Sequence, residues 1–437
     1  MKVAYLITGS GDSFYCSNCH RDRLYASSLK STGKVEITAV PLYLPPIGED
    51  FGDEFDNPVF FGAVSTYLRD RVKLFENAPA FLDRILDAPP MLRFAAKKAG
   101  TTRPEGFEET TLNMIRGNDP GKDREIKRLS LHLSENGRPD IIHLSNALIM
   151  GLASQLKDAL GSKIICSLQN EDDWVEEMAE PYRSEAWKLM GEESDVIDAF
   201  ISPSEYFKKL IVEKTGIDPK KIKVVPSGLE HSGLEDIKNT NPLPALGFFS
   251  RLSKNNGIHK IVDAYISIMN TGTIPDLELH LCGGYTADDK NFLKEQLSKL
   301  HSASLDDKVK IYNGFSGKQK EEFFSSISLM SVPVAKHDAY GLYLLTANSA
   351  GVAVVQPSTG AFPEIVELTG GGVIYQPDTV EKLAEEITKL LNDKEKLLRL
   401  GTKGRETVIN SLTQDHIARG ILKVYEDELS DEKGEEK

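Results

Sequence analysis

Short apolar runs recur along this chain with helix-like stretches between them, and no other pattern constrains its fold as much. Residues 2–8 form such a run, which stops at Gly9-Ser10-Gly11 and leads into a helical pattern carrying Leu24, Ser28 and Leu29. That order reads as strand, glycine turn, helix. Further runs at 35–44, 140–144, 163–168, 198–202 and 222–226 alternate with helix-like stretches such as 147–160 and 204–215. The alternation implies a parallel sheet with helices on both faces, an α/β domain.

The same texture restarts after Pro226-Ser227-Gly228 and the polar stretch 229–244. Runs at 245–250, 277–282, 308–312, 328–334, 352–356 and 372–375 alternate with helical segments at 257–270, 288–300, 318–327, 341–350 and 363–368. Two doubly wound halves are therefore expected, an N-terminal one over 1–226 and a C-terminal one over 227–408. Asp378 is placed to cap a helix with Glu381 in its first turn and Leu383, Ile387, Leu390 and Leu391 on one face. A last helix over 409–429 carries Ile417, Ile421, Val424 and Tyr425, and the acidic end 430–437 is expected to be a solvated, mobile tail. Residues 45–135 lack the strand rhythm and read as a helical insertion in the first half.

At 437 residues the chain is long enough for two such domains. With 27% charged and 40% hydrophobic residues, its composition is that of an ordinary globular protein. Its 52 Lys and Arg against 66 Asp and Glu leave a net charge of −14, which opposes nucleic acid as a partner. The apolar run at the N-terminus is too short for a signal peptide and no later run is long enough to span a bilayer, so a cytoplasmic protein is expected.

Ligands of open parallel sheets bind beyond the carboxyl ends of the strands, and two such sheets facing each other make one cleft. Gly9 and Gly11 lie at one strand end, where small residues let backbone amides approach a phosphate. The dinucleotide fingerprint nevertheless fails, because Phe14 stands where its third glycine belongs. In the second half, Arg251 and Lys254 follow a strand and precede a helix, and fixed cations there suit a diphosphate.

Arg251 to Gly257, Pro333 to Gly351 and Gly360 to Val366 together resemble the second domain of the family-four retaining glycosyltransferases, which have the GT-B fold of two Rossmann-like domains facing a cleft. The resemblance has good register from about residue 197 to 425 and is looser over the first half. It implies a metal-independent transferase, with no cofactor, that takes a nucleoside diphosphate sugar and passes the sugar to a carbohydrate, lipid-linked or small-molecule acceptor. Arg251 falls on the family's diphosphate-binding arginine. Its companion lysine is replaced by Asn256, with Lys254 nearby. Asp338 falls on the first glutamate of the Glu-x7-Glu motif, which contacts the donor sugar, and Thr346 on the second, which holds the ribose. Gly283 and Phe315 match turns used around the base, and Gly341, Leu342 and Gly360 belong to helix-start segments on the donor side.

In the first half, Pro139 to Asn146 resembles the family's Asp-Val-Val-His-x-His strand end, with His143 kept and Ser145 in place of the second histidine. Gln169 stands where many members have histidine. Glu171 and Asp172 follow, either as site carboxylates that orient an acceptor hydroxyl or as the acidic start of the next helix. Cys16-Ser17-Asn18-Cys19-His20 spells a haem-attachment motif, rejected for want of an export signal, and no metal site is expected. Cys16, Asn18 and Arg21 are instead expected to shape the acceptor side. A basic amphipathic stretch at 89–103 suits peripheral membrane contact. Two other functions stay open: a non-catalytic GT-B binding or scaffold protein, favoured by the changes at Thr346, Ser145, Gln169 and Asn256, and a GT-B sugar-nucleotide epimerase or phosphorylase.

Overall fold

The computed structural model describes residues 1–8, 14–43, 58–61, 104–117, 123–229, 234, 237, 244–312 and 314–435. They fall into two units. The first comprises Met1–Asp12, Asn18–Pro226 and Ile417–Lys437, and the second Ser13–Ser17 and Ser227–His416.

In the first unit the apolar runs become strands β1 (Lys2–Ile7), β2 (Glu36–Pro41), β3 (Ile141–Leu144), β4 (Lys163–Ser167), β5 (Ala199–Ser202) and β6 (Ile222–Val224). They form one parallel sheet in the order β2-β1-β3-β4-β5-β6. Helices α1 (Ser17–Ser31), α2 (Glu108–Arg116), α3 (Asp123–Glu135), α4 (Ala153–Leu160), α5 (Glu171–Val175), α6 (Tyr182–Glu192) and α7 (Glu205–Thr215) lie between the strands in sequence. Strand ends and caps explain their limits. Ser204 accepts from the Phe207 amide to start α7, and Gly216 takes a left-handed φ of 75° to end it. The helix expected over 147–160 is divided: Asn146 caps a 3-10 turn at Ala147–Leu152, and only then does α4 begin. Tyr5, Leu24, Tyr25, Ile141, Ile165 and Ile201 form the core together with Ile417, Ile421 and Tyr425 of the last helix.

The second unit repeats the design with β7 (Ala245–Phe249), β8 (Glu278–Cys282), β9 (Val309–Ile311), β10 (Leu329–Met330), β11 (Ala353–Pro357) and β12 (Gly372–Tyr375). All its pairings are parallel, in the order β12-β11-β10-β7-β8-β9. Its helices are α8 (Ile258–Thr271), α9 (Lys290–Ser302), α10 (Gly317–Ser326), α11 (Leu342–Ser349), α12 (Phe362–Thr369), α13 (Val380–Asn392) and α14 (Lys394–Ser411), and α15 (Gln414–Glu435) closes the chain.

Two expectations at the C-terminal end are corrected. Thr379, not Asp378, caps α13 by accepting from the Lys382 amide at 3.2 Å. Asp378 is drawn away by an ion pair with Lys260 at 2.7 Å and by the Tyr375 hydroxyl. The stretch expected to be a mobile tail continues α15 as helix through Glu435.

Strand order reverses between β1 and β3 in the first sheet and between β7 and β10 in the second, and such switch points are where parallel sheets open a crevice at their carboxyl ends. At the second of these, the loop after β7 meets the segment after β10: the Ala335 amide donates to the Asn255 carbonyl at 2.7 Å. Gly257 makes that approach possible. Its φ is +81°, and a Cβ would fall 1.8 Å from the Pro333 carbonyl oxygen. We expect Gly257→Ala to cost at least the ~1–3 kcal/mol of left-handed strain, before the clash is added. A lower urea midpoint would register this, and an unchanged midpoint would show that the two loops do not meet here.

Candidate functional site

In the second unit, β7 ends with Phe249 and delivers Ser250 and Arg251 to the switch point. The Arg251 Nε donates to Asp289 Oδ2 at 2.8 Å and its Nη2 to Thr286 Oγ1 at 3.0 Å. Asp289 and Thr286 are already joined as a capping box ahead of α9, so the same carboxylate oxygen also accepts from the Thr286 amide and hydroxyl. Lys254 is exposed. Asn256 is absorbed by its turn, accepting from the Ser253 hydroxyl at 2.6 Å and donating to Ser250 Oγ at 3.0 Å. Gly283 has a φ of +140°, and a Cβ on it would sit 2.0 Å from the Ser250 carbonyl oxygen, so only glycine lets the β7 and β8 ends approach.

Asp338 does not hold a free carboxylate toward the crevice. Its Oδ1 accepts from the amides of Tyr340 at 2.9 Å and Gly341 at 2.6 Å, and its Oδ2 from the Tyr343 hydroxyl at 3.2 Å. An aspartate is short enough to close such a turn on its own backbone, which a glutamate at this position would overreach. The turn sets up α11: Gly341 takes a φ of 72° and Leu342 begins the helix. The amino end of such a helix favours an anion nearby. Gly360 packs against this turn, since a Cβ there would lie 2.7 Å from the Asp338 amide nitrogen and carbonyl oxygen. Thr346 is 2% exposed and returns its hydroxyl to the Leu342 carbonyl at 3.2 Å. Phe315 is half-buried after β9.

In the first unit, the sequence residues gather at the ends of β1, β3 and β4. His143 is wholly buried: Nδ1 meets the Tyr425 hydroxyl at 2.6 Å and Nε2 the Ser167 hydroxyl at 2.8 Å. Burial, aided by the charge of Arg21, pushes its pKa down to about 3, so it is a neutral core residue tying α15 to the sheet. Glu171 starts α5 as one of its two readings required, yet its side chain turns inward. Oε1 accepts from the Ala147 amide and Oε2 from the Gln169 amide, both at 2.8 Å. Asp172 beside it is also buried. Gln169 donates through Nε2 to Asp22 Oδ1, which also accepts from the Tyr5 hydroxyl at 2.7 Å. Asn18 and Arg21 of α1 reach the carbonyls of Gln169 at 3.0 Å and Leu168 at 2.6 Å.

Tyr5 is therefore a member of this cluster that its sequence position did not single out, because a tyrosine inside an apolar strand run reads as core. The Thr286–Asp289 capping box and its hold on Arg251 were likewise not singled out from the sequence. Cys16 and Cys19 are disulfide-bonded, which leaves neither thiol as a metal or haem ligand, while Cys166 and Cys282 are free and buried. Among the described residues no three His, Cys, Asp or Glu side chains come together as a metal site, and no helix is long and apolar enough to cross a membrane. Gly9, Gly11 and the basic stretch 89–103 lie outside the described residues.

Residues 235–407 match the family Glycosyl transferases group 1, and residues 94–232 match Glycosyltransferase Family 4. Over 322 residues the chain is 23% identical to the alpha-maltose-1-phosphate synthase of Mycolicibacterium smegmatis, an alignment covering 68% of this chain and 81% of that protein. The fold is similar to that of sucrose-phosphate synthase from Thermosynechococcus elongatus, with a TM-score of 0.72 at 15% identity over 98% of this chain and 99% of that one. It is also similar to Anabaena HepE in complex with UDP and glucose, with a TM-score of 0.66 at 15% identity over 98% and 99% of the two chains.

Burial pushes the Glu171 carboxyl from 4.5 up to about 7, against the pull of the Ala147, Gln169 and Glu171 backbone amides and of Arg21. It likewise raises Asp22 from 3.8 to about 6, opposed by the bonds from Gln169 and Tyr5. A carboxyl that holds its proton more tightly when folded takes stability away as pH rises from its unfolded to its folded pKa. Glu171→Gln, which puts an amide NH2 where one amide-accepting oxygen was, is expected to be least stable relative to the parent near pH 4.5. That deficit should shrink as pH rises toward about 7. Chemical denaturation across this range measures it, and a constant deficit would show that Glu171 keeps its charge state on folding.

Proposed function

The chain belongs to the family-four glycosyltransferases of GT-B fold as a divergent member, and we propose that it moves a glycosyl unit from a nucleoside diphosphate sugar to an acceptor hydroxyl with retention at the anomeric carbon. The observation that carries this reading is the β7/β10 switch point, where Arg251 and the amino end of α11 come from the two loops that flank one crevice. In the transfer, the bond from the anomeric carbon to the diphosphate oxygen breaks with its electron pair going to the diphosphate. The acceptor oxygen forms the new bond to the anomeric carbon as its proton passes to the departing diphosphate oxygen. Charge grows on the leaving diphosphate, so a guanidinium and helix amides fixed beforehand lower the barrier without reorganising. A related fold solved with UDP and glucose supports a nucleoside diphosphate as the probe. The acceptor class in this reading is a carbohydrate, lipid-linked or small-molecule hydroxyl, and the setting is cytoplasmic.

A second reading, a binding protein without turnover, is favoured by Thr346. Its hydroxyl is spent on the Leu342 carbonyl within its own helix, so the carboxylate that the family uses for the ribose has no replacement at this position. Donor binding then depends on the diphosphate side, and Thr346→Val should leave nucleotide affinity unchanged.

A thermal-shift panel of UDP-, GDP- and ADP-sugars, followed by a transfer or hydrolysis assay with whichever stabilises the protein, separates the readings. We expect one donor to raise the melting temperature and to be turned over, and Arg251→Ala to lower the rate by about 10²–10³-fold, the usual effect of removing one donor to a developing oxyanion. Stabilisation without turnover would favour the binding protein, and a flat response to every sugar nucleotide would overturn the donor assignment.

A further inference from the structure

Phe14 spoils the glycine fingerprint after β1, and the structure gives the aromatic ring a place of its own. Residues 13–17 belong to the second unit. Phe14 forms an antiparallel bridge with Gly284, and the Tyr15 amide donates to the Gly283 carbonyl at 2.7 Å. The Tyr15 ring anchors this short segment: it is 5% exposed, lies 4.7 Å from the Phe249 ring, and meets Phe315 edge-on at 6.5 Å. Phe14, thus held, lays its ring on the guanidinium of Arg251, with the central carbon 4.8 Å from the ring centroid.

Arg251 is therefore constrained on three sides. Phe14 covers one face, Asp289 takes Nε and Thr286 takes Nη2. Among the described residues nothing takes Nη1, whose two N–H groups lie in the guanidinium plane. A planar fork fixed in this way offers one defined edge, the geometry that suits a phosphate. Orientation matters more here because the family's companion lysine is replaced at 256 and the nearby Lys254 is an exposed side chain. Asn256 is absorbed by its turn, and Asp289 offsets part of the arginine's charge.

We propose that Phe14, Thr286 and Asp289 are positioning residues that hold Arg251 with its Nη1 edge toward the diphosphate of the donor. The inference rests on the donor reading above. Its competitor is a purely structural one, in which the Arg251–Asp289 pair only secures the start of α9 and Phe14 only fills space.

Phe14 separates the two, because it is half-buried and can be changed without touching the capping box. The full-length protein and its Phe14→Ala, Phe14→Leu and Phe14→Trp variants are titrated by calorimetry with UDP, GDP and ADP, and with the matching nucleosides. Leucine keeps the apolar fill without the π face, and tryptophan keeps the face. We expect the diphosphate that the parent binds best to lose about tenfold in affinity with alanine and with leucine, the size of a partly desolvated cation–π contact, and to regain it with tryptophan. Affinity for the nucleoside should not move. Thr286→Val, which removes the Nη2 partner, provides an independent second measurement and should weaken diphosphate binding in the same selective way.

Equal affinity of the parent and Phe14→Leu for the diphosphate, or equal losses for nucleoside and diphosphate, would overturn the positioning role while leaving the donor reading intact. A parent that binds none of the three diphosphates would overturn the donor reading, and the inference with it.

Discussion

A parallel strand cannot be followed by its neighbour until the chain has crossed back over the sheet, and the rest of this protein depends on that constraint. Each crossover puts a loop at the carboxyl end of a strand, and where strand order reverses, two neighbouring loops leave in opposite directions. Both sheets have one such reversal, at β1/β3 and at β7/β10. The residues with chemistry to offer are concentrated at those two places. Those of the second unit surround Arg251 and Asp338, and those of the first surround Glu171 and Gln169.

The two sites differ in how they treat charge. At the β7/β10 end the polar groups are committed to backbone and to one another, yet the arrangement leaves an arginine edge and a helix start directed by the turn at Asp338. At the β1/β3 end the carboxyls of Asp22 and Glu171 are buried deeply enough to raise their pKa values toward neutrality, and His143 is buried deeply enough to stay uncharged. Burial there disfavours whichever form is charged, so the acids and the base move in opposite directions from one cause.

The departures from the family pattern are consistent with one another. A carboxylate shortened from glutamate to aspartate at 338 reaches its own backbone and becomes part of a turn. A threonine at 346 bonds the helix turn before it, and an asparagine at 256 bonds two serines. In each case a side chain expected to meet a ligand meets nearby protein. The proposed hold of an aromatic ring and a capping box on Arg251 gains weight from those three changes.

The amino-acid sequence by itself determined the two parallel sheets, since apolar runs of strand length alternating with helical stretches have no other economical arrangement, and all twelve runs become strands. It also placed Gly283 in a turn at a strand end, and the structure shows that only glycine fits there. Tertiary structure alone decided which polar atoms are spent. Asp378 was a reasonable cap until Lys260, distant in sequence, drew it away and left α13 to Thr379. His143 lies on β3, but Tyr425 of the last helix and Ser167 of β4 occupy both its nitrogens. Periodicity is a local property that a sequence records directly, whereas the partner of a lone pair and the burial that sets a protonation state depend on residues brought together only by the fold.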